Sequence, residues 1–295
     1  MGPASETRRQ GAVKLADGRR LEFRRWGRAG AQPVLYCHGI PGGRHELGLA
    51  EPALERCGAD LDVVAPSRPG YGGSTPVRRR GFVGWADDAR QLADDLGWDR
   101  FAVVGVSGGA PFALACAQRL GDRVGPVALV AGVAPPELPG MEGSAAVAGE
   151  ATNAVLRRLR YGLPALGLRA GRGDRIAAGI VAALGPEDRE ALADPLSAAM
   201  FRLVVADAFA RWGRTAADEA GLLLRPWDID LLAVTQNVRV WHGRRDTRIP
   251  VRVARSLVDH LPRASCRLWP DHGHFSWATS DDLAEIVAHL DPPAA

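Results

Sequence analysis

Lysine is almost missing from this chain: Lys14 is the single one, and arginine carries the rest of the fixed positive charge. With so much alanine alongside, that bias reads as base composition of the coding sequence and not as a nucleic-acid footprint. The net charge of +3 is small for 295 residues, and Arg78-Arg79-Arg80 is the one basic run, which reads as a solvated loop. Cysteine is scarce too. The four, at 37, 57, 116 and 266, show no Cys-x-x-Cys spacing, and three fall in predicted strands or helices. Buried free thiols are therefore expected in place of a disulfide frame. No stretch reaches the apolar length of a membrane span, and Met1 to Gln10 has no apolar signal-peptide core. The histidines show no metal-ligand spacing, and there is no internal repeat. Nucleic-acid, membrane, disulfide-framed and metal-centred readings are thereby set aside, and a cytoplasmic globular protein is the expectation.

What the chain does have is Val103-Val104-Gly105-Val106-Ser107-Gly108-Gly109. An apolar, β-branched run climbs from Phe101 to Val106, meets a serine between glycines, and is followed by a small-residue helix from Ala110 to Leu120. Strand, sharp turn and helix are the setting in which Gly-x-Ser-x-Gly holds a nucleophile: the turn strains the serine backbone and lifts its hydroxyl out of the sheet. The helix N-terminus beneath it favours developing negative charge. A structural glycine turn would carry the same bare pattern; the flanking strand and helix favour the nucleophile.

Around this element the chain reads as α/β. Gly11–Ala16 and Arg19–Trp26, joined at Asp17-Gly18, form an expected antiparallel hairpin. Strands follow at Pro33–Cys37, Leu61–Ala65, Phe101–Val106 and Val124–Ala131, alternating with helices ending near Arg56, over Phe82–Leu96 and over Ala110–Leu120. Such alternation predicts a mainly parallel sheet with helices on both faces. After Gly132 the rhythm breaks. Helical stretches are expected near Ala145–Arg160, Asp174–Leu184, Pro186–Asp194 and Leu196–Asp218, the last as one helix. Strands return at Val238–Trp241 and Ala264–Trp269 with a helix at Val251–His260 between them, and a helix at Asp281–Leu290 ends the fold. The division expected is a core of 1–133 and 226–295 with a helical cap inserted at 134–225.

A serine hydroxyl needs a base to take its proton, and the base needs an orienting carboxylate. Gly243-Arg244-Arg245-Asp246-Thr247-Arg248-Ile249-Pro250 places Asp246 just past a strand; Asp271-His272-Gly273-His274-Phe275 places two histidines past the last strand. The order Ser107, Asp246, His274 is the one that such elbows use. Asp246 is also placed to cap the following helix, and His272 competes with His274. His38 and His242 read as structural. Arg44 and His45 are candidates for the entrance, with surface exposure the plainer expectation.

These motifs resemble the α/β-hydrolase family, in its serine-nucleophile branch with a helical cap, over nearly the whole chain outside the insertion. His38-Gly39-Ile40-Pro41 is similar to the family's oxyanion loop, Arg68-Pro69-Gly70-Tyr71-Gly72 to its strand-4 loop, and Gly243 to Pro250 to its acid loop. The Gly-His-Phe context favours His274. The resemblance implies Ser107 as nucleophile, His274 as base, Asp246 as acid, and the backbone N–H groups of Ile40 and Gly108 as oxyanion hole. The alternative acid position after strand 6 lies near Gly132 and offers no carboxylate before Glu137.

The expectation is hydrolysis of a carboxylic ester or lactone through an acyl-enzyme, with no cofactor and no metal. The partners expected are a small-molecule substrate and, at most, a second copy in a homodimer, with no nucleic acid and no membrane. Leu163, Leu166, Met200, Phe201, Phe209 and Trp212 suggest a hydrophobic pocket in the cap. A carbon–carbon bond hydrolase, a biosynthetic cyclase or acyltransferase, and a ligand receptor that keeps the pocket share the scaffold and stay open.

Overall fold

Gly18, at φ 85°, turns the chain between β1 (Arg8–Lys14) and β2 (Arg20–Gly27), which pair antiparallel from Arg8 opposite Trp26 to Lys14 opposite Arg20. In the computed structural model, residues 8–78, 81–141, 162–164, 166–168 and 171–291 are described. The helix expected at Ala145–Arg160 and part of the basic run, Arg79 and Arg80, lie outside them. Six further strands follow: β3 (Gln32–Cys37), β4 (Leu61–Pro66), β5 (Phe101–Val106), β6 (Val124–Val130), β7 (Val238–Gly243) and β8 (Ala264–Trp269). They build one eight-stranded sheet in the order β1-β2-β4-β3-β5-β6-β7-β8. β2 runs antiparallel to both neighbours, and every other pairing is parallel.

Parallel strands need crossover helices, and these cover the sheet on both faces, so β4 and β5 are buried at every residue. Alternate residues serve opposite sides. Val64, Val103 and Val240 pack with Phe82, Trp85 and Leu92 of α2 (Phe82–Asp95), Phe112 of α3 (Ala110–Leu120) and Leu257 of the helix Val251–Asp259. Val63, Val104 and Trp241 pack on the other side with Leu49 and Leu54 of α1 (Leu47–Arg56) and Ile286 of the helix Leu283–Leu290. All four cysteines are free thiols, with Cys37 and Cys116 buried.

Between β6 and β7 come α4 (Gly173–Ala182), α5 (Pro186–Ala191), α6 (Pro195–Phe209) and α7 (Arg214–Leu223). Asp194 caps α6 by accepting the Ser197 N–H at 2.9 Å. The single helix expected over Leu196–Asp218 is in fact two. Trp212 and Gly213 stand at φ 58° and 64°, and two successive left-handed residues cannot continue a right-handed helix. The chain closes through α8 (Val251–Asp259) and α9 (Leu283–Leu290). Among the described residues no helix is long and apolar enough to cross a membrane. Because the strands run parallel, the segments after β3, β4, β5, β7 and β8 leave from one edge of the sheet, the edge where open α/β sheets place their sites.

Candidate active site

β5 ends at Val106 and α3 begins at Ala110, which leaves one tight turn for Ser107-Gly108-Gly109. Ser107 takes φ 52°, a left-handed conformation costly for a residue with a side chain. Two glycines allow it. A Cβ at Gly105 would lie 2.7 Å from that of Ala113, and one at Gly109 would lie 2.1 Å from the Cys37 carbonyl oxygen. The turn can be this sharp only because neither side chain exists.

The loops after β7 and β8 meet Ser107 there. The Ser107 Oγ is 3.0 Å from His274 Nε2, and His274 Nδ1 is 2.8 Å from Asp246 Oδ2. Since a carboxylate only accepts, Nδ1 carries the proton and Nε2 is left as acceptor for the serine hydroxyl. Asp246 divides its two oxygens: Oδ1 accepts the N–H groups of Arg248 at 2.7 Å and Ile249 at 2.9 Å, while Oδ2 faces the histidine. Burial pushes its carboxyl up, but the charge and hydrogen bond of His274, with His242 and the Ile249 amide, hold it below the ordinary carboxylate range. The loop-binding role and the histidine-facing role thus fall to different atoms of one side chain. His272 points elsewhere, 3.3 Å from Asp282 and stacked on Trp269. His242 is fully buried with Nε2 donating to the Ile249 carbonyl at 2.8 Å.

The loop after β3 lies against this turn. A Cβ on Gly108 would sit 2.8 Å from the Ile40 side chain, so the two residues are immediate neighbours beside Ser107. His38 shapes the loop: Nδ1 donates to the Gly39 carbonyl at 2.8 Å and Nε2 accepts the Arg68 N–H at 3.2 Å. Burial, with the Arg68 charge, keeps that imidazole well below the usual histidine range and so neutral. The Arg68 guanidinium donates to the carbonyls of His38 at 2.5 Å and Gly39 at 3.1 Å, and its charge is met by Glu219 of α7 at 2.8 Å. From the other side Glu46 accepts the Gly39 N–H at 2.9 Å and the Tyr36 hydroxyl at 3.0 Å. Burial raises the Glu46 carboxyl to about 7 despite those donors. Arg44 and His45 are not surface residues. Arg44 pairs with Glu22 at 2.7 Å, and His45, 6% exposed, is 3.8 Å from Asp207 of α6. Burial lowers the His45 imidazole to about 4.

Ser107 and His274 open into a cavity of about 430 Å³ walled by Ile176, Ile180, Phe201, Val205 and Phe209 of α4 and α6, with Ile40, Val133 and Phe275 from the rest of the chain. Of the apolar residues singled out in the sequence, Phe201 and Phe209 line it. Leu163 and Leu166 are exposed, Trp212 is 43% exposed at the helix break, and none of the three reaches the cavity. A list of apolar residues does not say which side of a helix faces the sheet.

Three buried carboxylates at the site escape sequence reasoning: Glu46, Glu219 and Asp188. Asp188 accepts the backbone N–H groups of His274, Phe275 and Ser276 at 2.9, 2.7 and 3.1 Å. Asp188 and Glu219 stand beside other acids and Glu46 beside Arg44 and His45, so each reads as solvated. The available signal was spacing: Asp188 lies four residues from both Leu184 and Leu192, and Glu219 four from Thr215 and Leu223, all buried. A charge on an apolar stripe marks an inward-facing group.

A family model described as the alpha/beta hydrolase fold matches residues 32–280. No curated protein matches the chain. Among solved structures, an alpha/beta hydrolase fold protein from Nakamurella multipartita aligns at TM-score 0.69 and 22% identity, covering 96% of this chain and 99% of that one. The esterase RhEst1 from Rhodococcus sp. ECU1013 aligns at 0.67 and 19%, covering 97% and 100%. The enol-lactonase from Burkholderia xenovorans LB400 aligns at 0.68 and 18%, covering 95% and 99%. At these identities the likeness is one of fold. The family match spans the strands and loops that converge on Ser107, and with the eight-stranded sheet and its elbow it shows that the chain belongs to the alpha/beta hydrolase fold family.

Proposed function

We propose that this chain is a serine hydrolase that cleaves a carboxylic ester or lactone of a small to medium hydrophobic molecule. The observation that carries the reading is the hydrogen-bonded line from Ser107 Oγ through His274 to Asp246, opening on an apolar cavity. Ser107 attacks the substrate carbonyl as its proton passes to His274 Nε2, and Asp246 stabilises the resulting imidazolium through Nδ1. The N–H groups of Ile40 and Gly108 receive the oxyanion. Collapse expels the alkoxide, which takes the proton from His274; a lactone opens in the same step. Water, deprotonated by His274, then attacks the acyl-serine and releases the acid.

The cavity, about 430 Å³, falls in the usual range for small-molecule sites. Its apolar walls favour an uncharged acyl group. The esterase and enol-lactonase among the structural relatives carry chemistry of this class. Residues 134–225 act in this proposal as a cap that sets acyl size, since α4 and α6 supply much of the wall. Four free cysteines suit a reducing compartment, and cytoplasmic action is part of the proposal.

A panel of p-nitrophenyl esters and lactones of increasing acyl length, given to the purified protein, tests this. Turnover with an optimum at short to medium length, lost in Ser107→Ala, is expected. A folded protein that binds these molecules and turns over none would instead be a receptor.

A further inference from the structure

The loop that carries the histidine is gripped by a carboxylate from outside the sheet. Asp188, in α5, is completely buried. Its Oδ2 accepts the His274 N–H at 2.9 Å, and its Oδ1 accepts those of Phe275 at 2.7 Å and Ser276 at 3.1 Å. On the far side of the same residue, the His274 carbonyl accepts Trp277 Nε1–H at 3.0 Å. Both peptide groups flanking the histidine are therefore fixed. The sequence makes room for the grip: a Cβ on Gly273 would lie 2.5 Å from Asp188 Oδ1, so a side chain there would push the carboxylate off the loop. α5 also reaches the loop of Asp246, where the half-buried Glu187 pairs with Arg245 at 3.0 Å.

These three hydrogen bonds converge on one side chain, and the consecutive backbone N–H groups would lose that acceptor without it. They act on a ring that must satisfy two narrow distances at once, 3.0 Å to Ser107 and 2.8 Å to Asp246. We propose that Asp188 is the positioning residue of the base. By holding the backbone of 274–276 it keeps His274 in line between Ser107 and Asp246, so the inserted helices govern the competence of the site as well as its pocket. This rests on the proposed roles of Ser107, His274 and Asp246.

The test compares Asp188→Ala and Asp188→Asn with Glu190→Gln, at an exposed position of the same helix, as control, each checked for folding by circular dichroism and melting. Three quantities are read: kcat and KM on the best p-nitrophenyl ester, the labelling rate with a small fluorophosphonate, and the downfield NMR resonance of the imidazole proton between His274 and Asp246. Asp188→Ala should lower kcat and labelling together by about 10²-fold, the cost of a displacement near 1 Å, with KM little changed. Its imidazole proton should broaden or vanish. Asp188→Asn keeps one accepting oxygen and should recover part of the loss, while Glu190→Gln should match wild type. A folded Asp188→Ala with wild-type kcat and an unchanged resonance overturns the proposal, and so does a rise in KM alone. If Asp188→Ala does not fold, the same readings on Asp188→Asn decide. If the wild-type protein neither hydrolyses esters nor takes the label, the proposed function fails, and the resonance still decides positioning: lost in the variant it supports Asp188, unchanged it refutes it.

Discussion

Asp246→Asn should disable the base while leaving the loop in place, because the two carboxylate oxygens have different partners. Oδ1 accepts from the Arg248 and Ile249 amides at 2.7 and 2.9 Å, whereas Oδ2 faces imidazoles, with His274 Nδ1 at 2.8 Å and His242 Nε2 at 3.4 Å. An asparagine has one oxygen and one NH2. Placing the NH2 at Oδ1 would set donors against two backbone donors, so the oxygen takes that site and the NH2 faces Nδ1. His274 must then accept at Nδ1 and carry its proton on Nε2, pointing at Ser107, where it cannot remove the serine proton. A wrong-tautomer triad of this kind loses about 10⁴-fold in kcat, close to 5.5 kcal/mol of barrier. Steady-state kinetics on the best ester, with the fluorophosphonate labelling rate beside them, measures it. The melting temperature should move little, since both amide bonds to the side chain survive. A folded variant that loses less than about tenfold would refute the tautomer reasoning and leave Asp246 a loop anchor.

Glu46→Gln should stabilise the protein in alkali. The folded carboxyl titrates near 7, above its ordinary 4.5, so its favourable contribution is complete below the lower value and is lost as pH rises through the upper one. That loss is on the order of 3 kcal/mol. The neutral glutamine should melt above wild type at about pH 8 and show no advantage near pH 4; a pH-independent gap contradicts this. Phe201→Ala and Phe209→Ala remove buried cavity walls. They should cost ~3–5 kcal/mol in denaturant titrations and shift the preferred acyl length upward, with fluorophosphonate labelling little affected. Trp212→Ala, at an exposed position away from the cavity, should leave the acyl preference alone, and a changed chain-length profile in that variant would place the tryptophan in the pocket.

The core was legible in the sequence because its signals are local. Apolar β-branched runs such as Phe101–Val106 form strands buried on both faces, and the glycines around Ser107 state the elbow in seven residues. The loops with Asp246 and His274 each follow a strand, so chain order alone suggested their common edge. The helices between β6 and β7 were less readable. Leu196–Asp218 keeps a helical period through Trp212 and Gly213, and nothing in that period announces two left-handed residues. The buried charges were harder still, because Arg68 and Glu219 lie 151 positions apart. Asp188 sits between Glu187, half-buried and paired with Arg245, and a run of further charges. Which acid of such a run turns inward is decided by packing against a loop 86 residues away.

The central claim is that Ser107 is an activated nucleophile, and one measurement addresses it directly. Intact-mass analysis after exposure to a small fluorophosphonate, followed by peptide mapping, should show one adduct per chain, located on Ser107 and absent from Ser107→Ala. A folded wild-type protein that takes no adduct, or takes it on another residue, would contradict the account.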